Sequence, residues 1–158
     1  GLFSGTDSRS FSPNASMTRA MLVTVLYRLE GEPTVTGRSS FTDVRSGAYY
    51  EKSVIWAAAN GIVTGTDSTS FSPDAKVTRE QLAAILYRYA IYKGMSAVTT
   101  EENLSHFADG ESISPYAVSA MNWAVGAGLI NGADNRLLPG ESASRAQVAA
   151  IIHRYLER

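Results

Sequence analysis

Three arginines recur in one unusual place. Arg19, Arg79 and Arg145 each follow a hydroxyl residue, Thr18, Thr78 and Ser144, of the type that caps a helix N-terminus. A cation in the first turn opposes the helix dipole at about 0.3–1 kcal/mol per site, so a threefold recurrence calls for a compensating anion. Two sources fit. Free N–H groups, the positive helix end and a guanidinium together make a site for an external carboxylate or phosphate. Alternatively the anion is internal, supplied across a repeat boundary by Asp43 or Asp109, which open the segments upstream of the next helices. The sequence leaves both open.

The elements that position these residues are themselves repeated. GLFSGTDSRSFSPNASMTR from Gly1 returns as GIVTGTDSTSFSPDAKVTR from Gly61, and a looser copy, GLINGADNRLLPGESASR, starts at Gly128. After each loop, apolar residues fall at i, i+3, i+4 and i+7: Leu22, Val25, Leu26, Leu29; Leu82, Ile85, Leu86, Tyr89; Val148, Ile151, Ile152, Tyr155. That spacing is one face of an α-helix. Thr78 with Gln81 and Ser144 with Gln147 spell capping boxes, whereas the first copy has Met21 in the third position; Gly31 and Gly94 supply stops. A second amphipathic helix is predicted upstream in two copies, from about Tyr49 to Asn60 and from about Pro115 to Ala127. Phe71 is expected to plug its loop onto the core, and 32–40 and 96–102 read as connectors. A full unit is helix, Gly-rich loop, helix, and such units stack. The first copy carries only its second half. The surface its missing helix would cover is expected to be filled by a second chain or left loose.

Bulk composition narrows the function. The 158 residues are 44% hydrophobic with a net charge of −1, so no basic surface invites nucleic acid, and no apolar run is long enough to span a membrane. With no cysteine and two distant histidines, His106 and His153, no metal-ligand spacing or cofactor motif is present. Asp67 and Asp134 lack the carboxylate ladder of a calcium loop. Trp56 and Trp123 lie in the upstream helices, where an aromatic packs into the core; at the edge of an inter-repeat groove either would also stack on a sugar face.

The FTDV start at Phe41, WAAANGIVTG from Trp56, FSPD from Phe71 and VTRE from Val77 resemble the S-layer homology module of bacterial envelope proteins. The resemblance covers nearly the whole chain, as the second half of one repeat (1–31), a complete repeat (40–94) and a third, degraded one (105–158). It implies an all-α pseudo-threefold spindle with grooves between repeats, anchored outside a Gram-positive-type cell to an acidic, pyruvylated-type secondary cell-wall polysaccharide. The family's TRAE tetrapeptide, whose arginine meets the glycan carboxylate, falls on Thr18 to Met21, Thr78 to Gln81 and Ser144 to Gln147, and its closing Glu is absent from all three.

The expected function is therefore a non-catalytic, cofactor-free anchor at the cell surface. Its candidate glycan contacts are Arg19, Arg79 and Arg145 with Thr18, Thr78, Ser144, Asp43, Asp109, Trp56 and Trp123. The alternative is an envelope protein-interaction scaffold, or a module self-associating through the incomplete first repeat. A glycosidase reading is poor, because Asp43 and Asp109 are equivalent repeat positions rather than a facing acid and base.

Overall fold

A computed structural model describes residues 1–7, 9–96 and 104–158; most of the expected connector at 96–102 lies outside the described residues. Its helices are α1 (Arg19–Leu29), α2 (Glu51–Ala59), α3 (Arg79–Tyr92), α4 (Val118–Gly126) and α5 (Arg145–Leu156), with 3₁₀ turns between α3 and α4. The last of these turns, Pro115–Ala117, leads directly into α4. Among the described residues there are only isolated bridges and no strand, so the protein is mostly helical.

The caps form where the residue types put them. Thr18 accepts from Met21 N–H alone, whereas Thr78 and Ser144 complete reciprocal boxes with Gln81 and Gln147. Gly31 and Gly94 take left-handed φ of 74° and 91°, which only glycine adopts without strain, and the chain leaves the helix there. The apolar stripes face inward: Leu22, Val25, Leu26, Leu82, Ile85, Leu86, Val148, Ile151 and Ile152 are at most 4% exposed. Burial of each is worth about 1.5–3 kcal/mol.

The three segments leading into α1, α3 and α5 meet in the core and bond to one another in a ring. Met17 N–H donates to Ala143 O, Ala143 N–H to Val77 O and Val77 N–H to Met17 O, each at 2.9 Å. All three residues are at most 1% exposed, so these hydrogen bonds satisfy backbone groups that water cannot reach. Around this ring α2 packs on α1 and α4 on α3. Trp56 lies between Tyr27 and Tyr92, with ring centroids at 5.7 and 5.8 Å, and Trp123 lies between Tyr87 and Tyr155 at 5.6 and 6.3 Å. No corresponding helix covers α5 among the described residues. Ala146 there is exposed, although its counterpart Ala20 in α1 is fully buried.

Candidate functional site

Each recurrent arginine reaches out of its own repeat into the loop of the next. Arg19 donates from Nε to Phe71 O and from Nη2 to Thr64 O, both at 2.9 Å. Arg79 does the same to Leu137 O at 2.7 Å and Asn131 O at 3.4 Å. Arg145 closes the cycle, with Nε bonded to Phe11 O at 2.9 Å and Nη2 to Ser4 O. The acceptors hold equivalent positions in the three loops. Arg19 and Arg145 also lie over the Phe71 and Phe11 rings at 4.7 and 4.8 Å, in cation–π geometry. Arg79 meets Leu137 at the equivalent position, and a leucine offers no ring face to a cation.

Among the described residues no ion pair joins these arginines to Asp43 or Asp109. The two carboxylates grip the loop backbone instead. Asp43 accepts the N–H groups of Phe71 and Ser72, and Asp109 those of Leu137 and Leu138, all at 2.8 Å. The carboxylate thus takes the amide of Phe71 or Leu137 while the arginine takes its carbonyl. Ser72 and Leu138 sit at φ of 58° and 53°, a left-handed conformation that costs about 1–2 kcal/mol in a residue with a Cβ. The two-pronged carboxylate holds them there. Glycine serves the same loop, since a Cβ at Gly65 would stand 2.6 Å from Ser70 O and 2.7 Å from the Phe41 ring. Among the described residues no carboxylate grips the first loop in this way, and Phe11 is 39% exposed where Phe71 is 0%.

Asp109 carries a pH consequence. Burial pushes its pKa up as the largest single influence, but the N–H bonds from Leu137 and Leu138, with the charge of Arg136, outweigh it and leave the group below the ordinary carboxylate value. A folded pKa below the unfolded one favours the fold wherever the carboxylate is ionised. That stability is present above the unfolded value of about 4 and is lost as pH falls through the folded one. The denaturation midpoint is expected to drop between about pH 5 and pH 3, and less steeply in Asp109→Asn. Equal slopes in the two proteins would show that this carboxylate does not support the fold.

Three open grooves of about 460, 500 and 370 Å³ lie beside Arg19, Arg79 and Arg145 respectively. Each contains a further arginine from the later part of a downstream helix: Arg88 with Arg19, Arg154 with Arg79 and Arg28 with Arg145. The signal was available in the spacing. Arg28, Arg88 and Arg154 each follow a first-turn arginine by nine residues, about two and a half helical turns, and so lie on the opposite side of the helix. Every downstream helix therefore gives its first arginine to one groove and its second to the neighbouring groove.

The three grooves differ in how far those cations are already committed. Arg154 donates to Leu129 O at 3.1 Å. Arg28 bonds Leu2 O and Ser4 Oγ and lies 4.0 Å from Glu32. Arg88 has no hydrogen-bond or ion-pair partner among the described residues, although its charge opposes that of Arg19. Burial, more than any neighbouring charge, pushes the Arg19 and Arg79 guanidiniums down from their ordinary values, yet arginine stays charged. Trp56 and Trp123, at 5% and 6% exposure, belong to the core and do not line these grooves. Thr18, Thr78 and Ser144 act as caps, and Gln81 and Gln147 line the first two grooves.

Stacked helical repeats with at least two arginines in the groove at each boundary define a repeat-built module. The S-layer homology domain matches residues 1–20, 40–83 and 106–149, and the chain belongs to that family. Its members are non-catalytic modules that anchor surface proteins to the cell wall, which places this chain at the cell surface. The amylopullulanase of Thermoanaerobacterium thermosulfurigenes is 34% identical over 98% of this chain but only 8% of its own length. The surface-layer 125 kDa protein of Lysinibacillus sphaericus is 30% identical over 99% of the chain and 13% of its length. The cellulosome-anchoring protein of Acetivibrio thermocellus is 26% identical over 94% of the chain and 34% of its length. The chain thus spans a small part of each relative. Among the described residues no helix is long and apolar enough to cross a membrane.

Proposed function

We propose that the repeats 1–31, 40–94 and 105–158 form a pseudo-threefold spindle whose grooves bind a carboxylate-bearing secondary cell-wall polysaccharide. The observation that carries this is the Arg19–Arg88 groove, where two guanidiniums share one cavity with no carboxylate paired to either among the described residues. Two half-desolvated like charges repel, and a bound anion relieves both at once. The cyclic backbone hydrogen bonds support the threefold arrangement, because each repeat donates to one neighbour and accepts from the other. In this reading Arg19, Arg79 and Arg145 both clasp the next loop and present charge to the groove. Asp43 and Asp109 position the loop, and Trp56 and Trp123 set the helix spacing.

The test is sedimentation of the protein with purified sacculi of Lysinibacillus sphaericus and Acetivibrio thermocellus, before and after chemical removal of the wall-linked polysaccharide. Binding is expected only while the polysaccharide is present and is expected to weaken as salt rises, since salt screens the attraction between an open groove's cations and a carboxylate arriving from solvent. A folded protein that ignores both intact walls would overturn the reading. The uncovered face of α5 would then favour a protein-contact scaffold.

A further inference from the structure

We infer that Tyr116 and its repeat equivalent Tyr49 are sugar-stacking platforms, so that a complete groove is assembled from three repeats rather than two. This rests on the glycan reading above and names a contact that the arginines cannot supply. Tyr116, on the 3₁₀ turn before α4, is 54% exposed and lines the Arg19–Arg88 groove. Tyr49, just before α2, is 63% exposed and lines the Arg145–Arg28 groove. The arginine clasp comes from one repeat, the loop and second arginine from the next, and the tyrosine from the one after. The Arg79–Arg154 groove has no such tyrosine among the residues lining it.

Both rings stand out to solvent, whereas Tyr27, Trp56 and Trp123, the aromatics packed between the helices, are at most 7% exposed. The turn carrying Tyr116 is fixed from below. Ser114 donates its N–H and Oγ to the Glu80 carboxylate at 2.9 and 2.7 Å, and Glu80 is itself 9% exposed. The Tyr116 phenol is raised by partial burial first and by Glu80 next, against the opposing pull of Arg19 and Arg88. The ring therefore lies within the field of both groove cations. A flat apolar face beside two guanidiniums suits a sugar ring bearing a carboxylate: the C–H face meets the aromatic and the charge meets the arginines.

The experiment is calorimetric titration of polysaccharide released from Lysinibacillus sphaericus walls into wild type, Tyr116→Phe, Tyr116→Ala, Tyr49→Ala and Arg88→Ala, each first shown to be folded by circular dichroism. Tyr116→Phe keeps the ring and is expected to bind within about threefold of wild type, whereas Tyr116→Ala loses about tenfold or more. Tyr49→Ala is expected to weaken a separate set of sites. If Arg88→Ala removes one set of strong sites while both alanine variants at the tyrosines bind like wild type, the platform is refuted and the glycan reading stands. If wild type itself does not bind, both fall together.

Discussion

Truncating Phe71 to alanine is expected to cost about 3–5 kcal/mol of folding stability, the largest effect of any single change considered. Phe71 is 0% exposed, its ring sits 5.7 Å from that of Phe41, and the Arg19 guanidinium lies over it at 4.7 Å. Its removal opens a cavity at the joint where Asp43 and Arg19 hold the same residue's backbone, and those polar groups cannot collapse into the space. Phe11 provides an internal control. It occupies the equivalent position under Arg145 but is 39% exposed, and the same truncation there should cost about 1–2 kcal/mol. Chemical denaturation of the two variants decides the matter. Equal losses would mean that the carboxylate-gripped loop is no better anchored than the free one.

The second large effect falls on binding. Arg88→Ala is expected to weaken polysaccharide binding at the Arg19–Arg88 groove by about 10- to 100-fold, since a charge-assisted hydrogen bond is worth about 1.5–3 kcal/mol. Folding stability should change by no more than about 0.5 kcal/mol, because Arg88 has no partner among the described residues to leave unsatisfied. This asymmetry makes Arg88 a sharper probe than the conspicuous arginines. Arg19→Ala removes two hydrogen bonds to the Phe71 and Thr64 carbonyls as well as a cation, so weaker binding would be inseparable from a loosened repeat boundary. Side-by-side measurement of affinity and denaturation midpoint separates the roles. An Arg88 variant that loses stability and binding in parallel would assign the residue to the fold.

Helices, caps and stops were legible in the sequence because their determinants are local. Thr78 and Gln81 are three residues apart, the apolar stripes run over two turns, and Gly31 and Gly94 end helices that their own φ angles terminate. The partners of Arg19 and Asp43 were not legible. Pairing them with each other is sound electrostatics, but both bind backbone groups of a loop far along the chain, and backbone leaves no mark on residue type. Every loop offers carbonyls and amides whatever its side chains are. The second arginine of each groove was hidden differently. Arg28, Arg88 and Arg154 recur as regularly as the first set, but an arginine next to a tyrosine in the later turns of a helix reads as amphipathic packing until a neighbouring repeat is placed against it. Trp56 and Trp123 drew attention as sugar platforms by residue type, whereas the exposed aromatics along the grooves are Tyr49 and Tyr116.

The central claim is that paired guanidiniums in an inter-repeat groove recognise carboxylate on a wall polysaccharide. Its most direct test is calorimetric titration of the released polysaccharide, native and with its carboxylates converted to neutral amides, into wild type and Arg88→Ala. The account predicts weak binding throughout when the carboxylates are neutralised, and in Arg88→Ala the loss of the Arg19–Arg88 sites alone, with the other two grooves still binding the native polymer. Neutralised polymer that binds wild type as tightly as the native form would contradict it.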